Sequence, residues 1–143
     1  MVTLIRTEPV LVAAWELGMD ARAAGQARRL VREALDGMRI VPDTVDDAVL
    51  MVSELVGNAV VHGEPPFELI LRSGPGEFHV EVVDAGGARP VMRSAGTESE
   101  DGRGLGIVSE LSAGRCGCRR VPYLTRNGRY GQAVWFALSL GRP

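Results

Sequence analysis

Between Pro42 and Gly63 the chain carries apolar side chains at Val45, Ala48, Val49, Val52, Val56 and Ala59, spacings of three and four that put them on one face of an α-helix. Pro42 and Asp43 mark the start of this helix, and Gly63 followed by Pro65-Pro66 marks its end. Within its last turns, Ser53-Glu54-Leu55-Val56-Gly57-Asn58-Ala59-Val60-Val61-His62-Gly63, the polar residues Glu54, Asn58 and His62 recur every four positions. They form one line of chemistry along the edge of a buried face, which a purely structural helix rarely needs.

The flanking pattern is that of a sheet with helices. Val10 to Leu17 is rich in β-branched and aromatic residues and stops at Gly18, as a strand would. Asp20 is expected to cap a helix with Ala24, Ala27, Val31 and Ala34 or Leu35 at helical period and Gly37 as its stop. Arg22, Arg28, Arg29 and Arg32 fall mainly on its wet side, and a solvated face explains them better than an acidic partner does. After Pro66, Phe67, Leu69 and Leu71 share one strand face, and Phe78, Val80 and Val82 share another. The link Ser73-Gly74-Pro75-Gly76 has hairpin chemistry, so the two strands are expected to be antiparallel. From Ala85 to Arg103 the periodicity is lost, as in a lid, a binding loop or a disordered segment. Gly102-Arg103-Gly104-Leu105-Gly106 is expected to open a short helix with Leu105, Val108 and Leu111. A segment from Arg115 to Val121, a hairpin signal at Asn127-Gly128 and the alternation of Val134, Phe136, Leu138 and Leu140 complete the series. The fold class read from this order is α+β, one domain over residues 1–143, with helices on one face of a mixed, mostly antiparallel sheet.

A chain of 143 residues buries about two thirds of its unfolded surface and needs no staple. The basic and acidic side chains nearly balance, at a net charge of −2, and the arginines are scattered, which argues against a nucleic-acid or anionic-membrane surface. Met1 to Thr7 lack a signal peptide's basic start and apolar core, and no apolar run approaches a membrane span, so a cytoplasmic location is expected. Cys116 and Cys118, expected on opposite strand faces where a disulfide would be strained, are read as reduced. With only His62 and His79 beside them, they argue against a zinc site.

Three short motifs carry chemistry. Glycines at a helix start let a backbone approach phosphate closely, although Gly102, Gly104 and Gly106 alone are equally well read as a flexible turn. Asp84, at a strand end before Ala85-Gly86-Gly87, either forms a turn or accepts a hydrogen bond from an exocyclic amine, which suits adenine and not a keto base. Asn58 offers a neutral oxygen ligand that suits Mg²⁺ beside phosphates, and Glu54, one turn earlier, a carboxylate able to orient or deprotonate a hydroxyl. His62 is better explained by the dipole at the helix end than by catalysis.

Glu54-x-x-x-Asn58, Asp84-x-Gly86 and Gly102-Arg103-Gly104-Leu105-Gly106, in this order, resemble the three boxes of the GHKL (Bergerat-fold) ATPase superfamily, to which gyrase and the histidine kinases belong. More narrowly, Ser53 to Gly63 and Gly131-x-x-Val134-Trp135-Phe136 resemble the stand-alone anti-sigma-factor serine/threonine kinases of actinobacteria. The resemblance implies a two-layer α/β sandwich binding Mg-ATP between the Asn58 helix and a lid over residues 85–103. It implies that Asn58 ligates Mg²⁺, Asp84 reads the adenine amine, Gly86 shapes its pocket, and Gly102, Arg103, Gly104, Leu105 and Gly106 hold the phosphates. Glu54 would be the general base toward a hydroxyl of an anti-anti-sigma (STAS-type) protein, and the free kinase would sequester a sigma factor, with homodimerisation suggested by analogy. Gln132 stands where the family often has Lys, so Arg129 or Arg103 would have to supply that charge. The alternative is a nucleotide-gated binding module without kinase activity.

Overall fold

The computed structural model describes residues 9–86 and 100–140, with residues 100–105 described by their backbone. The elements run β1 (Val10–Leu17), α1 (Ala23–Asp36), α2 (Pro42–His62), β2 (Phe67–Gly74), β3 (Glu77–Asp84), α3 (Glu100–Leu111), β4 (Cys116–Pro122) and β5 (Tyr130–Ser139). The strands form one sheet in the order β1-β2-β3-β5-β4, and every pairing is antiparallel. The β2–β3 hairpin turns at Pro75-Gly76, where Gly76 takes φ +73°, a conformation that favours glycine. Among the described residues no helix is long and apolar enough to cross a membrane.

One sheet face is covered by the helices. Phe67, Leu69 and Leu71 of β2, Phe78, Val80 and Val82 of β3, and Phe136 and Leu138 of β5 meet Ala27, Val31 and Leu35 of α1 and the stripe of α2. That stripe contains the expected Val45, Ala48, Val49, Val52, Val56 and Ala59, and also Met51 and Leu55. Fully burying each larger side chain contributes about 1.5–3 kcal/mol, so this layer outweighs the exposed ion pairs such as Arg32–Asp46.

Several boundaries differ from expectation. Asp20 does not cap α1 directly: its Oδ1 accepts from Arg22 N at 2.9 Å and its carbonyl from Ala23 N at 3.0 Å, so a turn intervenes and the helix begins at Ala23. Glu100 is already helical, so Gly102 and Gly104 lie inside α3 instead of opening it, and residues 100–103 of the expected lid are helix. Residues 87–99 of that lid lie outside the described residues. Cys116 and Cys118 pair with Phe136 and Val134, two residues apart on each strand, and therefore share a face; neither forms a disulfide.

The second sheet face is also partly covered, which the alternation in β2 does not foretell. Ile70, Val83, Val121, Tyr123 and Ala133 cluster there with Ala14. The segment after β4 crosses this face as a strap. Tyr123 Oη donates to the Pro66 carbonyl at 2.7 Å, and Arg126 pairs with Glu16 at 2.9 Å. Between them the fully buried Glu68 carboxylate accepts from Leu124 N at 2.9 Å, Thr125 N at 2.6 Å and Thr125 Oγ1 at 2.5 Å. Farther along the same face Glu81, also buried, is held by Arg72 and by Arg119.

Hydrogen bonds to a charged group are each stronger than neutral ones, and Glu68 gathers three donors. Glu68→Ala is therefore expected to lower the unfolding free energy by about 2 kcal/mol in a urea titration. A loss below about 0.5 kcal/mol would show that the carboxylate does not hold the strap.

Candidate functional site

Asp84 continues the Phe78, Val80, Val82 side of β3, so its carboxylate emerges on the helix-covered face where the sheet ends against the last turn of α2. It is 8% exposed. Among the described residues its hydrogen bonds all end on Oδ1, from Gly86 N at 2.7 Å and, longer, from Glu64 N at 3.4 Å. Oδ2 is left to accept from something else.

Three glycines close around this aspartate. A Cβ on Gly63 would lie 2.6 Å from Asp84 Cγ, and one on Gly86 would lie 2.9 Å from Oδ1. From the opposite sheet face, a Cβ on Gly131 would lie 2.5 Å from the Asp84 carbonyl oxygen and 2.7 Å from Tyr123 Cε1. Gly63 is at φ −97°, so close approach and not conformational freedom is what demands glycine there. The family resemblance implies Gly86 as the shaper of this pocket; Gly63 is read from the sequence only as the helix stop and Gly131 only as part of the resemblance, so the close approach to Asp84 is an added constraint on both.

On α2, Leu55, Val56 and Ala59 are buried while Glu54 and Asn58 lie half-buried at the margin. The Nδ2 of Asn58 is buried and has no hydrogen-bond partner among the described residues. An unpaired buried amide costs about 1–3 kcal/mol, so a polar ligand group is the natural partner. Rotation of the amide by half a turn presents Oδ1 at the same place, so the position fits a phosphate oxygen in one orientation and a hard cation in the other. His62 is exposed at the helix terminus. Ser53 Oγ accepts from the Arg28 guanidinium at 2.9 Å, tying α1 to α2 beside Glu54.

The helix α3 packs on α2, with Val108 and Gly106 buried. Because Glu100 is already helical, a regular α3 engages the N–H groups of Gly104 and Gly106 with the carbonyls four residues back, leaving Gly102 in the first described turn. The side chains of Arg103 and Leu105 lie outside the described residues. Arg129, the other candidate cation, packs its guanidinium 6.0 Å from the centre of the Tyr123 ring. Gln132 faces Asp84 across the β3–β5 ladder.

A family model described as histidine kinase-like ATPase domain matches residues 18–114, a span that includes Glu54, Asn58, Asp84 and Gly102 to Gly106 but neither Tyr123 nor Gly131. No curated protein matches the sequence. Among solved structures, the RsbU and RsbW domains of Rv1364c from Mycobacterium tuberculosis share the fold, with 23% identity and a TM-score of 0.56. That likeness covers 92% of this chain and 33% of the solved one, so the chain spans about a third of its length.

Burial raises the pKa of Asp84 above the ordinary 3.8, against the lowering effect of the Gly86 and Glu64 N–H groups. The folded state thus keeps its proton to higher pH than the unfolded chain. The resulting stability is full below 3.8 and is lost as pH rises through the raised folded value. Asp84→Asn removes this titration, so the variant is expected to melt higher than the wild type at neutral pH, with the gap closing on acidification. Thermal melts of both across that range check this, and a gap independent of pH would contradict it.

Proposed function

We propose that this chain, which belongs to the histidine kinase-like ATPase domain family, is a cytoplasmic ATP-dependent serine/threonine kinase. In this reading it phosphorylates an anti-anti-sigma protein and, when free of it, sequesters a sigma factor. Membership of an ATPase-domain family implies ATP as the ligand. The observation that carries the site assignment is Asp84, a buried carboxylate walled by glycines with one oxygen unpaired among the described residues.

Each residue has a distinct task. Asp84 Oδ2 accepts the exocyclic amine of adenine, while a keto oxygen there would set two acceptors face to face. Gly63 and Gly86 keep that end of the pocket free of side chains, and Gly131 lets Tyr123 pack behind it on the opposite sheet face. Asn58 contacts the phosphates and is the residue that would hold Mg²⁺, whose charge would offset theirs. Gly102, in the first described turn of α3, supplies its backbone N–H to the phosphates, and Gly104, with its own N–H engaged in the helix, lets them approach past no side chain. Glu54, one turn before Asn58, accepts the proton of the attacking serine or threonine hydroxyl as its oxygen bonds to the terminal phosphorus and ADP departs. The resemblance of Ser53 to Gly63 and of Gly131 to Phe136 supports the anti-sigma assignment, and the fold shared with a chain that includes an RsbW domain is in keeping with it.

A second reading, a nucleotide-gated binding module without transfer, is favoured by one observation. Gln132 brings no charge opposite Asp84, and Arg129 is engaged with Tyr123.

Purified protein incubated with Mg-ATP and the STAS-type antagonist of its own cell is expected to yield phosphoserine or phosphothreonine on the antagonist. Glu54→Ala is expected to slow transfer at least about a hundredfold while ATP still binds, and Asn58→Ala to weaken ATP binding itself. Undiminished transfer by Glu54→Ala would remove Glu54 from its role. ATP binding without transfer by the wild type would select the binding module.

A further inference from the structure

The wall of the Asp84 pocket is a short piece of chain between two elements. The link from Gly63 to Pro66 joins α2 to β2, and Pro65 and Pro66 have no N–H to donate. Among the described residues its ties include Gly63 N to the Ala59 carbonyl at 2.8 Å, Ala85 N to the Glu64 carbonyl at 2.7 Å, and the long contact from Glu64 N to Asp84 Oδ1. At its far end the Pro66 carbonyl accepts from Tyr123 Oη at 2.7 Å, a contact between residues 57 apart in sequence.

Tyr123 is 5% exposed, and its ring lies close enough to Gly131 that a Cβ there would strike it. Tyr123 N donates to the Arg129 carbonyl at 2.9 Å, and the next two residues of the strap are bound to the buried Glu68. The phenol is thus fixed from its own side before it reaches the link. Burial, and next the charge of Asp84, push its pKa up to about 12, so it stays a donor throughout the working range.

From this geometry we infer that Tyr123 is a positioning residue for the nucleotide pocket: reaching across the sheet from behind, its hydroxyl fixes the Gly63–Pro66 link that forms the wall beside Asp84. The inference rests on the nucleotide reading of Asp84 and lies outside the residues matched by the family model. It gives the strap a task in ligand binding. Without the phenolic hydroxyl, the Pro66 end of the link loses its hydrogen bond from the strap, the already long contact from Glu64 N to Asp84 Oδ1 lengthens further, and the carboxylate loses part of its fixed aim.

The test compares Tyr123→Phe with Thr125→Val, which removes the Thr125 Oγ1 donor to Glu68 but leaves in place the backbone N–H bonds of Leu124 and Thr125 that hold the strap, and the link itself. Tyr123→Phe is expected to weaken ATP binding about five- to tenfold, or in a transfer assay to raise KM for ATP with kcat unchanged. Thr125→Val, with a comparable fall in Tm, is expected to leave both unchanged. Equal loss in the two variants, or no loss in Tyr123→Phe, would overturn the inference. A reading that needs no folded variant uses 3-fluorotyrosine in the full chain, whose two tyrosines are Tyr123 and Tyr130. ATP should shift the Tyr123 fluorine resonance and leave that of the exposed Tyr130; an unmoved Tyr123 resonance in ATP-saturated protein would overturn the inference. Failure of the wild type to bind ATP at all would instead overturn the nucleotide reading and the inference with it.

Discussion

The helix α2 does two jobs with one rotation about its axis. Its stripe from Val45 to Ala59 is buried against the sheet and α1, and that burial leaves no freedom to turn. Because Asn58 immediately precedes the buried Ala59, and Glu54 the buried Leu55, the packing that stabilises the fold also sets both polar residues at the margin. The same packing seats Gly63 against Asp84 at the end of β3. Loss of apolar contact anywhere along this helix would therefore displace the site as well as destabilise the chain.

Around Asp84 the fold tolerates an unfavourable arrangement. A buried carboxylate with two backbone donors on one oxygen is held above its ordinary pKa, which means the folded chain would be more comfortable with it neutral. The amide nitrogen of Asn58, buried and without a partner among the described residues, is a second such cost. In the proposed nucleotide reading, one ligand would relieve both, bringing a donor to Asp84 and a charged oxygen or cation to Asn58. Sites that bind tightly often carry strain of this sort in the free protein, offset by the core around them.

Much of this was legible in the sequence. Spacings of three and four fixed the face of α2, and alternation in Phe67 to Leu71 and Phe78 to Val82 identified the hairpin. The polar line of Glu54 and Asn58 stood out because it interrupts an apolar run, and Asp84 because glycines follow it. What covers the second sheet face was not legible. Alternation alone puts Glu68 in solvent, yet it is buried, because its partners are backbone N–H groups of Leu124 and Thr125 that leave no mark in a sequence. Gly63 and Gly131 serve close approach, which has no turn signature. The start of α3 was misplaced because glycines have poor helix propensity, a weak preference that packing on α2 overrides.

The decisive quantity is the preference of the Asp84 pocket between an amine and a keto group. Titration calorimetry of the full chain with Mg-ATP and with Mg-GTP measures it without a partner protein or any variant. The geometry at Asp84 predicts that ATP binds and that GTP binds at least about tenfold more weakly, since guanine would oppose its oxygen to a carboxylate oxygen, Oδ2, that has no donor among the described residues. No heat with ATP at millimolar concentration, or equal affinity for the two nucleotides, would contradict the assignment.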